Sequence, residues 1–99
     1  MKNITLNYIS TASHGFIKIS KYDLQALDIE PREFSDFSFY NQENACFYLE
    51  EDCDANKLIA LIKDKGIDVA FNESFDDDLE PKNQYGFSRI QPRVDYAKL

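Results

Sequence analysis

Apolar residues alternate with polar ones in several short segments of this chain, and this period of two limits the fold to one built around a β-sheet. Successive side chains of a strand point to opposite faces of the sheet, so each alternating segment predicts a half-buried strand. The clearest such segment is residues 4–8, the mostly apolar run 16–19 predicts a second strand, and residues 67–71 alternate again. Because the turn-forming residues 10–15 separate the first two segments, we expect a β-hairpin there.

Two aromatic-rich runs predict a second hairpin. Residues 37–40 and 46–49 are rich in Phe and Tyr, which favour strands, and the polar residues 41–45 between them suit a five-residue loop. Residues 85–90 predict a last edge strand before Pro92.

Two segments have helical signals. Ser20, with Asp23 three positions later, predicts the start of a two-turn helix that ends before Pro31. Tyr22, Leu24 and Leu27 are expected on its buried side. The second helix is expected to begin at an Asp52 or Asp54 cap and to end at Gly66. Its apolar residues recur at helical spacing: Ala55, Leu58, Ile59, Leu61 and Ile62.

These elements predict an α+β fold, with a mainly antiparallel sheet of four to six strands and two helices packed on one face. Ninety-nine residues suit a single domain, with a core in residues 1–72, an acidic loop at 73–84 and a C-terminal edge segment at 85–99. No apolar run approaches the roughly 18 residues of a membrane span, and polar residues interrupt the N-terminal segment. The sequence therefore predicts a cytoplasmic protein with two free thiols, at Cys46 and Cys53, and no membrane partner.

The charge of the chain is unevenly distributed. The net charge is −7, but residues 81–99 hold four cations and one acid, a net +3, which leaves −10 for residues 1–80. Proteins gain affinity for nucleic acids largely through Lys and Arg, so this distribution argues against direct binding of nucleic acid.

Two acidic clusters stand out. Glu50, Glu51, Asp52 and Asp54 lie where a predicted strand meets a predicted helix, and Asp76, Asp77, Asp78 and Glu80 lie in the predicted loop. Helix capping explains one or two of the first four carboxylates. Hard cations take oxygen ligands, but the run lacks the loop pattern of an EF-hand, and the sequence predicts neither a metal nor another cofactor. The remaining interpretations are a solvated surface and a surface that binds a partner protein.

His14 is the only histidine and lies with Ser13 in the predicted turn, which makes this pair a possible functional turn. A small hydrolase centred on His14, Cys46 and Asp52 is one hypothesis, since nucleophilic catalysis needs a base beside a nucleophile. A turn histidine that packs on Phe16 is the simpler interpretation. Phosphate-binding glycine motifs and zinc-protease motifs are absent, and no enzyme activity is expected.

Residues 13–19, which begin Ser-His-Gly-Phe, and residues 48–55, Tyr-Leu-Glu-Glu-Asp-Cys-Asp-Ala, resemble an uncharacterised small domain carried by phages and plasmids. The resemblance covers roughly residues 11–70 and implies a mobile-element origin. The family has no established activity, so the resemblance implies no catalytic residues.

Small acidic proteins from mobile elements resemble, in size and charge, inhibitors that block host defence nucleases. We therefore expect an inhibitor of the anti-CRISPR or antirestriction kind, present as a monomer or small homo-oligomer. It would act in the bacterial cytoplasm, where its two acidic clusters would cover a basic surface of a nucleic-acid-processing host protein. The alternative is an adaptor domain that pairs with a larger protein through a sheet edge carrying Tyr85, Phe87 and Ile90.

Overall fold

The computed structural model describes residues 3–99, and the first two residues of the predicted core, Met1 and Lys2, lie outside this range. It contains six strands and two α-helices in the described chain. The strands are β1 (Asn3–Ser10), β2 (Gly15–Ser20), β3 (Phe39–Asn41), β4 (Cys46–Glu50), β5 (Asp68–Phe75) and β6 (Phe87–Arg89). The helices are α1 (Lys21–Ala26) and α2 (Ala55–Asp64), and short 3-10 turns occur at Pro31–Glu33 and Tyr96–Lys98.

The strands form a single mixed sheet in the order β5-β1-β2-β4-β3-β6. All neighbouring pairs are antiparallel except β1 and β5, which run parallel because α2 carries the chain back across the sheet before β5 begins. The predicted fold class is therefore confirmed.

Both helices cover the same face of the sheet, where the main core lies. Every second residue of the central strands points into it, as Ile17, Ile19, Phe47 and Leu49 show. The opposite face carries a smaller aromatic cluster of Phe16, Phe39 and Tyr48, against which Leu79 and Phe87 pack.

Local sequence signals place the ends of the helices correctly. The hydroxyl of Ser20 accepts a hydrogen bond from the N–H of Asp23 at 3.0 Å, as an N-cap does. Gly66 follows α2 with a φ of 78°, a left-handed conformation that ends a helix and suits glycine.

Tyr22 does not lie on the buried side of α1, contrary to the prediction, and 62% of its surface is exposed. Lys21 is buried in its place, because the C-terminal segment folds over the start of α1. The Lys21 ammonium donates to the backbone oxygens of Tyr96 and Leu99, which provides hydrogen-bond partners for it while the aliphatic stem is covered.

The predicted boundaries need three corrections. β3 begins at Phe39, and Phe37 lies outside it and is exposed. β5 continues to Phe75, so the acidic loop begins at residue 76 rather than 73. The segment 85–99 is more than an edge, because Ile90 and Tyr96 are buried in the main core. In the described range, no helix has the length and apolar character that crossing a membrane requires.

Candidate functional site

Four strand ends meet at one end of the sheet, and both acidic clusters start there. β1 ends at Ser10, which pairs with Gly15 at the start of β2 and with Phe75 at the end of β5. On the other side of β2, Phe16 pairs with Glu50 at the end of β4. We call this region the acidic end, and it comprises Glu50, Glu51, Asp52, Asp76, Asp77, Asp78 and Glu80.

The β1–β2 turn holds the two acidic segments together. On one side, the N–H of Asp76 donates to the carbonyl of Ser10 at 2.9 Å, and the N–H of Ala12 donates to an Asp77 carboxylate oxygen at 3.3 Å. On the other side, the N–H of Glu51 donates to the carbonyl of Gly15 at 3.0 Å. Clusters that are 24 or more positions apart in sequence therefore flank the same turn.

The carboxylates of the acidic end are crowded and open to solvent. One oxygen from each of Glu50, Glu51 and Asp52 lies within 4.8 Å of the others. Glu50 and Glu51 are half-buried, and the other five members of the acidic end are exposed. In residues 3–99 the salt bridges are Lys57–Glu33 and Lys98–Asp95, and neither involves the acidic end.

The acidic end borders a groove on each face of the sheet. The groove on the face away from the helices has a volume of about 400 Å³, and Glu50, Asp77 and Glu80 line it. Its lining also includes two cations, Lys82 and Arg89. Arg89 is already engaged, since it donates to the carbonyl of Asp36 at 2.8 Å and lies over the Phe39 ring. The groove on the helix side, about 330 Å³ in volume, is lined by Tyr8, Glu51, Asp52 and Glu73, among others.

Tyr8 fixes the position of one carboxylate in the second groove. Its hydroxyl donates a short hydrogen bond to Glu51, and this bond, with burial and the negative charge of Glu51, raises the pKa of Tyr8 to about 12. The contact crosses directly over Gly15, where an added Cβ would overlap the Tyr8 hydroxyl and lie 2.6 Å from the Glu51 carboxylate. The glycine of the Ser-His-Gly motif thus leaves room for the Tyr8–Glu51 pair.

Asp54 does not belong to the exposed surface, which corrects the prediction that it binds a partner. Only 4% of its surface is exposed. Its carboxylate accepts hydrogen bonds from the N–H of Ser35 at 3.0 Å, from the Ser35 hydroxyl at 2.8 Å and from the Ser38 hydroxyl. Although Asp54 is the residue before α2, its side chain does not cap the helix. It ties the start of α2 to the segment before β3.

The residues proposed for a hydrolase do not come together. His14 is exposed beside the acidic end and packs against Phe16, with ring centroids 6.3 Å apart, as the simpler interpretation predicted. Cys46 begins β4 at the opposite end of the sheet, where it pairs with Ser20. Burial raises the pKa of the Cys46 thiol, which lowers the fraction of reactive thiolate. Both cysteines are free, as predicted.

The edge predicted for an adaptor offers little apolar surface. Tyr85 is exposed, but Ile90 is buried in the core and Phe87 packs on Tyr48 with ring centroids 4.8 Å apart. The other edge of the sheet, β5, exposes Phe71 and Phe75 instead. Sequence reasoning missed this edge because the periodicity of 67–71 indicates a strand without showing which neighbours it has.

Comparison of the chain with protein-family models, curated proteins and solved structures finds no match.

Proposed function

We propose that this protein is a mobile-element inhibitor that binds a basic, nucleic-acid-binding surface of a host defence protein, in the manner of anti-CRISPR or antirestriction proteins. One observation carries the proposal: two distant segments bring seven carboxylates to one end of the sheet, and no salt bridge in residues 3–99 neutralises them. The resemblance of residues 13–19 and 48–55 to a phage- and plasmid-borne domain implies a mobile-element origin, which is the origin that this proposal requires.

The chemistry of such binding follows from what a nucleic-acid-binding surface contains. Lys and Arg side chains hold phosphates there through charge-assisted hydrogen bonds, and carboxylates bind the same side chains. The acidic end presents carboxylates to a groove on each face of the sheet, and backbone hydrogen bonds tie the start of the acidic loop to the β1–β2 turn, so several cations can be paired at once. The inhibitor would act by occupying the surface, so it needs no catalytic group.

The proposal is tested with an epitope-tagged protein in nuclease-treated bacterial lysate, followed by purification of the captured proteins. We expect a captured defence protein to lose its nucleic acid when this chain is added. The complex should weaken by at least about tenfold between about 50 mM and about 500 mM salt, because the contacts are screened. A captured protein that keeps its nucleic acid, or a complex insensitive to salt, would refute the proposal.

Two triple variants distinguish the contribution of the acidic end to binding from the contribution of the net charge of the molecule. Asp52→Asn/Asp78→Asn/Glu80→Gln removes three exposed charges from the acidic end. Asp28→Asn/Glu43→Gln/Asp64→Asn makes the same chemical changes at exposed positions elsewhere on the molecule. The first variant should lose at least about tenfold in affinity, as expected from about 0.5 kcal/mol or more for each charge pair. The second should bind nearly as well as the natural chain, and equal losses would show that net charge alone decides binding.

A further inference from the structure

β5 is a long strand at one edge of the sheet. It spans eight residues and has a strand neighbour on one side only within the described chain, namely β1. Sheet edges are usually blocked by Lys, Pro, a bulge or shortness, because free N–H and C=O groups there recruit other strands. β5 has no Lys, Arg or Pro, and its pairing with β1 is continuous over all eight residues. The charges it carries are the acids Asp68 and Glu73, which repel an acidic strand and attract a basic one.

The direction of the free backbone groups can be assigned. The N–H of Asp76 points to β1, since it donates to Ser10. Backbone groups of successive strand residues point to opposite sides, so even-numbered residues of β5 face β1. The N–H and C=O groups of Val69, Phe71, Glu73 and Phe75 therefore point outward, away from the sheet.

The side chains of this edge are also suited to an interface. Phe71 and Phe75 lie on the helix side of the strand and expose 44% and 67% of their surfaces. Phe71 is held in place by an edge-to-face contact with Tyr8, with ring centroids 6.5 Å apart. Exposed aromatic side chains that are already ordered contribute to binding at a small entropic cost.

We propose that β5 is a docking edge, to which a basic extended segment of the partner protein adds as a seventh strand. This inference rests on the proposed function and specifies how the partner is held. Strand addition supplies affinity through backbone hydrogen bonds, and alternate side chains supply specificity.

The charge of β5 indicates which kind of strand would pair with it. β5 carries Asp68 and Glu73 and leads directly into Asp76, Asp77 and Asp78, with no cation in between. A strand in which Lys or Arg alternates with apolar residues would place its apolar side chains beside Phe71 and Phe75. Its cations would then lie on the opposite face of the sheet, the face of Asp68 and of the groove-lining Asp77. A second copy of this chain is a poorer occupant, because it would bring another net charge of −7 to the same edge.

The experiment uses two labelled peptides of about ten residues, long enough for one strand: one alternates Lys with Val and the other Glu with Val. Fluorescence anisotropy should show binding of the Lys–Val peptide and at least about tenfold weaker binding of the Glu–Val peptide. Equal affinities for the two peptides would overturn the inference.

Two substitutions at one position isolate the backbone contribution. Glu73→Gln removes only the charge, whereas Glu73→Pro removes the charge and the outward N–H together. Glu73→Pro should bind the Lys–Val peptide about tenfold more weakly than Glu73→Gln does. Equal affinities of the two variants would overturn strand addition. The double variant Phe71→Ser/Phe75→Ser, which leaves the backbone intact, should also weaken binding, and no loss would count against the docking edge.

Hydrogen exchange locates the bound peptide. The amides of Val69, Phe71, Glu73 and Phe75 should become protected, and protection confined to residues 87–89 at the other edge would overturn the inference.

The two proposals can fail separately. If the Glu73→Pro variant still captures the defence protein while the acidic-end triple variant does not, the docking edge is wrong and the proposed function stands. If the peptide docks on β5 but nucleic acid is never displaced, the docking edge stands and the proposed function fails.

Discussion

At the scale of single residues, Asp54 shows how a carboxylate in an acidic run serves the fold rather than a partner. Its donors, Ser35 and Ser38, lie 19 and 16 positions earlier in the chain. The Ser38 hydroxyl also accepts from the N–H of Glu50 at 3.0 Å, so the network joins β4, α2 and the segment before β3. Sequence alone suggested a helix cap, because the serines that bind Asp54 approach it only when the sheet is formed.

We expect Asp54→Ala to lower the free energy of unfolding by about 3 kcal/mol, because buried donors lose a charged acceptor. Asp54→Asn keeps one oxygen acceptor and should cost about half as much. Asp52→Ala, at an exposed neighbouring position, is the matched control and should change stability by less than about 0.5 kcal/mol. Chemical denaturation measures all three, and equal effects of the substitutions at positions 52 and 54 would contradict the buried network.

Tyr8 makes a second prediction at this scale, which concerns alkaline pH. The pKa of Tyr8 is raised to about 12 in the folded protein, so the unfolded chain releases this proton first as the pH rises above about 10. The stability associated with the neutral hydroxyl is therefore complete below pH 10 and is lost progressively as the pH rises through 12. Tyr8→Phe should unfold about 1 kcal/mol more easily at pH 7 and should lose less stability between about pH 10 and 12. Denaturation at several pH values checks this, and parallel curves for the two proteins would contradict it.

At the scale of elements, the sequence predicted the parts that depend on neighbouring residues. The β1–β2 hairpin, the Ser20 cap and the end of α2 at Gly66 all arise from local turn and capping chemistry, and all are confirmed. The arrangement of the edges was not predictable. β5 pairs in parallel with β1, 65 positions earlier, and period-two alternation is the same whichever strand lies alongside.

The edge position of β5 leads to a stability prediction. The N–H of Ser74 faces β1, whereas that of Glu73 faces outward, since the two residues alternate along the strand. Ser74→Pro should therefore lose a ladder hydrogen bond and reduce the free energy of unfolding by about 2 kcal/mol or more. Glu73→Pro should reduce it by less than about 1 kcal/mol. Thermal and chemical unfolding distinguish the two, and a larger loss at position 73 would reverse the assignment of the free edge.

At the scale of the whole molecule, the topology gathers acids at one end of the sheet. The acidic end holds seven carboxylates, whereas the cations that line the groove beside it are Lys82 and Arg89. With the proposed partner, a field of this kind would orient the partner's basic surface before contact and raise the association rate at low salt. The same acids that suit binding also repel one another in the folded state.

This repulsion predicts that salt stabilises the protein. Unfolding moves the seven carboxylates of the acidic end apart, so screening them favours the folded state. Raising sodium chloride from about 10 mM to about 150 mM should raise the Tm by about 4 °C, which corresponds to about 1 kcal/mol in a chain of this length. The variant Asp52→Asn/Asp78→Asn/Glu80→Gln should have a higher Tm at low salt and respond less to added salt. The matched variant Asp28→Asn/Glu43→Gln/Asp64→Asn should behave like the natural chain, because its three positions lie outside the crowded region. Calorimetry measures the change in Tm with salt for the three proteins. Equal changes would mean that the repulsion is spread over the whole surface rather than concentrated at the acidic end.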